Sequence, residues 1–115
     1  MSCPLDYSLC NQTVTLYRME KGIVRRQVVE NAWYQWRLEQ VTDELGTRQE
    51  TRFSLILPGQ QAILPGDRVF DGIGPLVTPE QWPGFLPVSV TGLSQVKFVK
   101  PCYWQGQLCH TESGN

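Results

Sequence analysis

Hydrophobic and polar positions alternate most regularly over residues 30–57. Apolar side chains fall on even positions from Ala32 to Leu38, and after a turn-forming stretch at residues 42–46 they return on odd positions over residues 53–57. Alternate residues of a strand share one face, so each run predicts a half-buried strand. Two such runs joined by a turn that contains glycine predict one long antiparallel hairpin. The face assigned to the core consists of Tyr34, Trp36, Phe53 and Leu55.

Shorter runs of β-branched, aromatic and alternating residues predict further strands. These strands are expected at residues 13–19, 23–29, 69–70, 88–99 and 102–109, of which residues 23–29 also fit a loop. Gly92 indicates a bulge or bend, Pro101 is expected to interrupt the alternating strand that precedes it, and Trp104 is expected in the core. The predicted fold class is mostly β: a small antiparallel sandwich or partly closed β-barrel with a long hairpin and one short helix.

The short helix is expected inside a Gly/Pro-rich crossing over residues 72–87. Thr78 fits the N-cap and Pro79 the first helical position, and a proline-glycine pair then ends the turn. The same segment contains two large apolar side chains, Trp82 and Phe85. They either fill the core or mark a surface for a partner, and the pattern leaves both alternatives open.

Length and composition place the chain among ordinary globular proteins. Its 115 residues predict a single domain, 1–115, in which residues 1–11 and 111–115 are flexible tails. A hydrophobic fraction of 41% and a charged fraction of 18% exclude a disordered chain. No run approaches the ~20 apolar residues that a membrane-spanning helix needs, so no membrane partner is expected. The first six residues lack the basic and apolar regions of a secretory signal, which predicts the cytosol or a particle assembled there.

Charge gives little support to nucleic-acid binding. Ten Lys and Arg residues against eleven Asp and Glu residues give a formal net charge of −1, whereas proteins that bind phosphates usually have a basic excess. Four Trp and four Tyr residues nevertheless suggest an alternative of another class, a β-barrel module that binds single-stranded nucleic acid by stacking. Core packing explains Trp36 better, while Trp33 lies on the opposite, polar face of the hairpin and is available to a partner.

Four cysteines lie in two pairs, Cys3 with Cys10 and Cys102 with Cys109, and the lone histidine, His110, follows the last of them. Six residues separate the members of each pair, which is not the spacing of a zinc knuckle. The alternatives are a Cys/His metal site that joins the two ends of the chain, or reduced thiols that pack as small hydrophobic groups. A chain without a secretory signal favours reduced thiols, so neither a metal ligand nor a cofactor is predicted.

No catalytic machinery is recognisable in the sequence. A nucleophile needs a base within hydrogen-bond reach, and the single histidine lies near the end of the chain. No G-x-S-x-G, P-loop or G-x-G-x-x-G motif is present. Asp67 and Asp71 are spaced to share a strand face as paired carboxylates, but each adjoins a glycine, which favours a structural role in a turn. We therefore expect no enzyme activity and no catalytic residue.

Four motifs follow one another over residues 11–104. They are N-Q-T-V-T-L-Y at residues 11–17, a Trp-bearing strand at residues 32–36, P-G-D-R-V-F-D-G at residues 65–72, and V-S-V-T-G-L-S at residues 88–94, followed by a Trp-containing strand. In this order and at this length the chain resembles a family of short structural proteins from tailed phages and prophages. Members of that family are minor capsid, head–tail connector or head-closure proteins.

The resemblance implies a non-enzymatic virion structural protein, a neck subunit that assembles as a ring between portal and tail. The implied partners are further copies of the chain, the portal or adaptor, and tail proteins, with packaged DNA passing nearby without sequence-specific contact. The implied location is the virion, assembled in the bacterial host cytoplasm. A minor capsid or tail-completion protein is the alternative within the same class.

A ring built from head-to-tail contacts needs two different complementary patches on each subunit. Loops and hairpin tips on a rigid β scaffold can supply them, so the candidates are the hairpin tip, residues 43–47, and the crossing, residues 72–87. The predicted interface residues are Trp33, Asp43, Glu44, Trp82 and Phe85. The substitution Trp82→Ala is expected to lower assembly more than monomer stability.

Overall fold

Seven β-strands and one 3₁₀ helix make up the structure, a computed structural model that describes residues 7–59 and 61–115. The elements are β1 (Gln12–Glu20), β2 (Ile23–Asp43), β3 (Gly46–Pro58), β4 (Arg68–Asp71), the 3₁₀ helix (Trp82–Gly84), β5 (Leu93–Gln95), β6 (Phe98–Trp104) and β7 (Gln107–Gly114). Every paired set is antiparallel, in the order β5-β4-β1-β2-β3-β7-β6. The predicted mostly β fold is confirmed, as an open sheet consistent with a small sandwich.

The 21-residue strand β2 connects the two halves of this sheet. Its first part pairs with β1 up to the partners Gln12 and Ala32, and its second part pairs with β3 from Trp33 onward. Because β2 pairs with β1 along its first part and with β3 along its second part, it lets the two halves of the sheet pack against a shared core. The long hairpin predicted over residues 30–57 is confirmed by the pairing of β2 with β3, and its turn lies at residues 44–45.

The main core takes side chains from both halves of the sheet. Val14 of β1, Val69 of β4, and Leu55 and Leu57 of β3 are all completely buried. The other buried members are Leu16, Val29, Ala32, Tyr34, Phe53, Ile63 and Val96. Burying one such aliphatic or aromatic side chain stabilises the fold by roughly 1.5–3 kcal/mol. This gain explains why the strand faces that point into the cluster carry apolar residues.

A second, smaller cluster joins the Gly/Pro-rich crossing to the sheet. Its buried members are Tyr17, Phe85 and Leu93, and the rings of Tyr17 and Phe85 meet edge to face at 4.8 Å. The Tyr17 hydroxyl donates a hydrogen bond to the Pro75 carbonyl oxygen at 2.6 Å. Glycine is required at Gly74 because a Cβ atom there would collide with that hydroxyl. Of the two alternatives that the sequence left open, Phe85 therefore fills the core.

The crossing contains a shorter helix than the sequence predicts. The predicted N-cap is wrong: Gln81, not Thr78, caps the helix, without a side-chain hydrogen bond. Thr78 instead closes the preceding turn, where its Oγ1 accepts the backbone N–H of Gln81 at 3.3 Å. The 3₁₀ helix then spans Trp82–Gly84. The proline-glycine pair that was expected to end the helix lies inside it, because proline's fixed φ is tolerated in a first helical turn.

The far end of the β2–β3 hairpin extends beyond the pairing of its neighbours. In the described part of the chain, β1 pairs with β2 only up to Ala32 and β7 pairs with β3 only from Ser54. We call residues 36–52 the hairpin arm, since these residues pair only with each other and with the adjoining Phe53. The prediction that Trp36 lies in the core is wrong: the side chain is 54% exposed because it stands where the hairpin leaves the rest of the sheet.

The alternating run over residues 88–99 forms less strand than predicted. Residues 87–92 form turns and bends instead, and only β5 and the start of β6 use the later part of the run. Val88 is 91% exposed, whereas Val96 is buried. Gly92 has a φ of 86°, a left-handed conformation that interrupts extended backbone, so the bend predicted at this glycine is confirmed.

The predicted C-terminal tail is wrong, because residues 111–115 complete β7 and its end. This strand lies between β3 and β6, and Thr111 and Ser113 are buried in it. Pairing on both sides gives the backbone groups of β7 their partners, which a frayed tail would lack. Of the predicted N-terminal tail, residues 1–6 lie outside the described residues, while Cys10 donates its N–H to the Tyr7 carbonyl at 2.9 Å.

Strand β6 also differs from the prediction. It runs through Pro101, which was expected to interrupt the strand. Proline is tolerated there because β6 is an edge strand of the described sheet, where a missing backbone N–H leaves no neighbour without a donor. Trp104 was expected in the core but is 45% exposed. Its position at the end of an edge strand, beside the β6–β7 turn, leaves part of the ring without a covering layer.

Candidate functional site

The strand register divides the hairpin arm into two faces. On one face, six charged side chains form a continuous ladder of ion pairs. They are Arg37, Glu39, Asp43, Arg48, Glu50 and Arg52. Three are cations and three are anions, so the ladder is neutral as a whole. A single exposed ion pair contributes little, but cross-strand pairs that form a connected network hold the two strands in register.

The centre of the ladder is a pair of like charges, Glu39 and Glu50, which are direct partners across the strands. Two carboxylates in this position repel each other. Arg52 offsets the repulsion by donating to both carboxylates, at 3.2 Å to Glu39 and 2.8 Å to Glu50. Hydrogen bonds from Arg37, and then from Arg52, lower the pKa of Glu39. Every charged side chain of the ladder thus has an oppositely charged partner within the ladder.

The opposite face of the arm exposes large apolar side chains. Trp36 is the partner of Phe53 and Leu38 the partner of Thr51, so these residues share one face. Leu38 is 57% exposed, and Leu45 at the hairpin turn is 94% exposed. Clusters of exposed apolar side chains are a common property of protein surfaces that bind partners. Leu38 and Leu45 are not among the interface residues predicted from the sequence, although a lone leucine in a polar turn is a usable signal.

An open groove of about 630 Å³ begins at the base of this apolar face. Trp36 and Thr51 of the arm line one side, and residues 86–88 and 90–92, from the end of the crossing up to β5, line another. Lys97 and Asn115 also contribute to the lining. The apolar face of the arm and this segment therefore meet along one continuous surface.

The interface residues predicted from the sequence lie in three places. Asp43 and Glu44 are exposed at the hairpin tip, and Trp33 is half-buried at the base of the hairpin. Trp82 is half-buried and Phe85 is buried in the second cluster. The structure brings Trp82 and Phe85 together and places neither on the arm. That these five residues contact a partner stays a prediction.

Asp43 already has partners within the hairpin tip. Its carboxylate accepts hydrogen bonds from the Arg48 guanidinium and, at 2.8 Å, from the backbone N–H of Leu45. These two interactions, the Arg48 bond first, lower the pKa of Asp43. The carboxylate therefore fixes the conformation of the turn that presents Leu45.

Trp82 packs against a buried arginine. The guanidinium carbon of Arg68 lies 3.7 Å from the centroid of the Trp82 ring. Nη1 of Arg68 donates to the backbone carbonyls of Trp82 at 2.7 Å and Phe85 at 2.6 Å. Burial lowers the pKa of Arg68. Truncating Trp82 would uncover this guanidinium, so we now expect Trp82→Ala to lower monomer stability as well as any assembly.

The two aspartates considered as a carboxylate pair have different environments. Asp67 is buried and binds the Arg18 guanidinium through both carboxylate oxygens, at 2.8 and 2.7 Å. The same carboxylate accepts the backbone N–H of Leu64 at 2.9 Å, which closes the turn before β4. Asp71 is exposed at the end of β4. The structural interpretation of Asp67 is confirmed.

A second polar cluster lies where β6 pairs with β7. The register makes Cys102 the partner of His110 and Lys100 the partner of Glu112, and residues two apart on a strand share a face. One ligand atom from each of Cys102, His110 and Glu112 lies within 4.8 Å of the other two. The register shifts between Cys102 and Tyr103, which marks a bulge of the kind that re-aims side chains at a sheet edge.

His110 is the buried centre of this cluster, with a relative exposure of 5%. Its Nδ1 lies 2.5 Å from the Tyr7 hydroxyl and its Nε2 lies 3.5 Å from a Glu112 carboxylate oxygen. Burial, followed by the Glu112 charge, raises the pKa of the Cys102 thiol. Burial and the neighbouring thiols likewise raise the pKa of Tyr7. Both groups therefore keep their protons at neutral pH.

The cysteines do not share one state. Cys109 is disulfide-bonded, so the prediction of reduced thiols is wrong for this residue. Cys10 and Cys102 are free thiols, and Cys3 lies outside the described residues. Spacing along a chain does not reveal which sulfur atoms a sheet brings together, and this is why the sequence misled. Glu112 was missed as a neighbour of Cys102 and His110; its i, i+2 spacing from His110 was the available signal.

Within residues 7–59 and 61–115, no helix is long and apolar enough to cross a membrane. The candidate sites in the described residues are the hairpin arm with its groove and the Cys102–His110–Glu112 cluster. Comparison of the chain with protein-family models, with curated proteins and with solved structures finds no match.

Proposed function

We propose that this chain is a non-enzymatic structural protein of a tailed-phage or prophage virion, a head–tail connector or head-closure subunit that forms a ring between portal and tail. The order of motifs over residues 11–104 supports this proposal. The structural observation that favours it most is the hairpin arm, which is charged and self-neutralised on one face and apolar on the other.

The arm has the physical properties of an assembly element. A two-stranded ribbon is marginally stable in water, and here the ion-pair ladder stabilises it on one side only. The other side leaves Trp36 and Leu38 exposed to solvent. A partner that covers them gains ~25 cal/mol for each Å² of apolar surface removed from water. Contact with a neighbouring subunit removes that area from water.

The ring contact joins two different patches on neighbouring subunits. One patch is the apolar face of the arm of one subunit, and the other is the exposed surface of the crossing, residues 72–87, of the next subunit. A contact between unlike patches is heterologous, and it closes into a ring when the rotation between subunits fits. The portal or adaptor then binds one end of the ring and the tail proteins bind the other, while packaged DNA passes nearby.

The experiment mixes the purified protein with portal rings encoded beside its gene and images the product by electron microscopy. We expect rings on the portal, and we expect Leu38→Ser to weaken their formation about tenfold because it removes an apolar contact at the interface. Leu64→Ser is the matched control, since Leu64 is 55% exposed against 57% for Leu38 but lies outside the arm. A melting temperature in both variants equal to that of the unmodified protein confirms that the monomer is intact.

Three outcomes separate the alternatives. Rings that both variants form equally well contradict the role of the arm. Binding to capsid or tail tips without a portal-bound ring replaces the neck assignment by a minor capsid or tail-completion protein. Salt-dependent retention on single-stranded DNA, with no ring, replaces it by the nucleic-acid-binding module.

A further inference from the structure

Three side chains of metal-binding type converge on one face of the β6–β7 pair, independently of the hairpin arm. Cys102 offers a thiol sulfur, which gives up its proton when a metal binds, His110 offers an imidazole nitrogen and Glu112 a carboxylate oxygen; these atoms lie within 4.8 Å of one another. We propose that these three residues form a binding site for one zinc ion, a site that no part of the proposed neck function requires.

The distances suit a tetrahedral ion. Zinc lies about 2.0–2.3 Å from nitrogen, oxygen and sulfur ligands, so two ligands of a tetrahedral ion are roughly 3.5 Å apart. His110 Nε2 and the Glu112 oxygen are already 3.5 Å apart. The Cys102 thiol donates a hydrogen bond to the Lys100 carbonyl oxygen at 3.8 Å, and a metal ion would replace the proton of this bond. The site needs a closure of up to about 1.3 Å, the difference between the 4.8 Å span of the cluster and the ligand separation around zinc.

Tyr7 prepares His110 for this role. Its hydroxyl lies 2.5 Å from Nδ1, so Nδ1 can donate its proton to the phenol oxygen and leave the lone pair of Nε2 directed toward Glu112. Metal-bound histidines almost always make such a second hydrogen bond, which fixes the tautomer and the ring orientation. The edge-to-face contact between the two rings adds a further constraint on the imidazole.

The ligand set selects the class of metal. A thiolate together with an imidazole favours zinc over magnesium or calcium, which prefer oxygen ligands alone. Three protein ligands leave the fourth position to water. Binding would cross-link the edge strand β6 to β7 and, through Tyr7, the N-terminal segment to both.

The test is titration of the whole protein, with the Cys109 disulfide intact, by Zn²⁺ in calorimetry and by Co²⁺ in absorption spectroscopy. We expect one ion per chain, a thiolate-to-cobalt charge-transfer band, and a higher melting temperature with zinc. A count of free thiols beforehand checks that Cys102 is reduced. Absence of the thiolate band in the folded, reduced protein overturns the proposal.

Variants then separate the site from adventitious binding. Cys102→Ser should abolish the thiolate band, and Glu112→Gln should weaken zinc binding, while Glu20→Gln at the end of β1 is the matched control and should leave binding unchanged. Tyr7→Phe should weaken zinc binding roughly 10- to 100-fold without removing the band, because only the support of His110 is lost. Equal affinity in Cys102→Ser and the unmodified protein would show that the ion binds elsewhere.

Discussion

At the scale of single residues, Asp67 and Arg18 form the most complete ion pair of the described chain. Both carboxylate oxygens of Asp67 are bonded to the Arg18 guanidinium, and the Asp67 side chain is only 6% exposed. Bidentate, charge-assisted pairs of this kind are stronger than exposed ones. Because the same carboxylate also closes the turn before β4, one side chain links β1 to the turn that starts β4.

We expect Asp67→Ala to lower the free energy of unfolding by about 2 kcal/mol, since hydrogen bonds to a charged group are lost and the N–H of Leu64 loses its acceptor. Asp71→Ala is the control: this aspartate also adjoins a glycine but is exposed, and its removal should change stability by less than about 0.5 kcal/mol. Chemical denaturation measures both. An equal loss in the two variants would contradict the structural role of Asp67.

At the scale of elements, the hairpin arm is held together by electrostatics rather than by burial. Its charged face is a ladder of three arginines and three carboxylates, and its apolar face is exposed. Core strands such as β3 near Leu55 are fixed by packing instead. The arm should therefore respond to pH and salt more strongly than the rest of the sheet.

The Leu45 amide proton should report the titration of Asp43, because it is bonded to that carboxylate. The pKa of Asp43 is lowered in the folded state, so the bond stabilises the tip above the ordinary value of 3.8 and is lost as pH falls through the lower, folded value. An NMR titration should give a midpoint below 3.8. In Arg48→Gln the midpoint should move back up, since Arg48 is the main cause of the shift; no movement would refute this assignment.

At the scale of the whole molecule, the sheet is completed by its last strand. β7 is the last strand in sequence, yet it lies between β3 and β6 in the sheet. It therefore pairs on one side with β3, from the middle of the sequence, and on the other side with β6, the strand just before it. Beyond it, Asn115 accepts the N–H of Phe53 at 3.0 Å and donates to the Thr51 carbonyl at 3.0 Å. The elongated outline, 47 × 37 × 23 Å, includes the arm at the other end of β3.

Deleting residues 111–115 should prevent stable folding, because β3 would lose four of its five partners in β7 and β6 would lose four of its seven. The buried backbone groups of those positions would be left without hydrogen-bond partners. Replacing the turn residues 44–45 by Asn-Gly is the comparison, and it should preserve the fold because both side chains are exposed there. Circular dichroism and thermal melting distinguish the two. A shortened chain that melts like the full one would contradict the central role of β7.

The alternation of residue types by itself determined the β2–β3 hairpin and most of its buried face. Strand periodicity is a local property, so the register of Phe53, Leu55 and Leu57 toward the core was predictable. The bend at Gly92 and the structural role of Asp67 followed equally from local backbone preferences.

Only the tertiary structure decided which apolar positions of each alternating run are shielded from solvent. Tyr34 and Trp36 have the same parity, yet one is buried and the other exposed, because coverage depends on where the opposing layer ends. The place of residues 111–115 inside the sheet and the convergence of Cys102, His110 and Glu112 likewise come from strand pairing. Pairing joins residues that are remote in sequence, and no local pattern encodes which strands will meet.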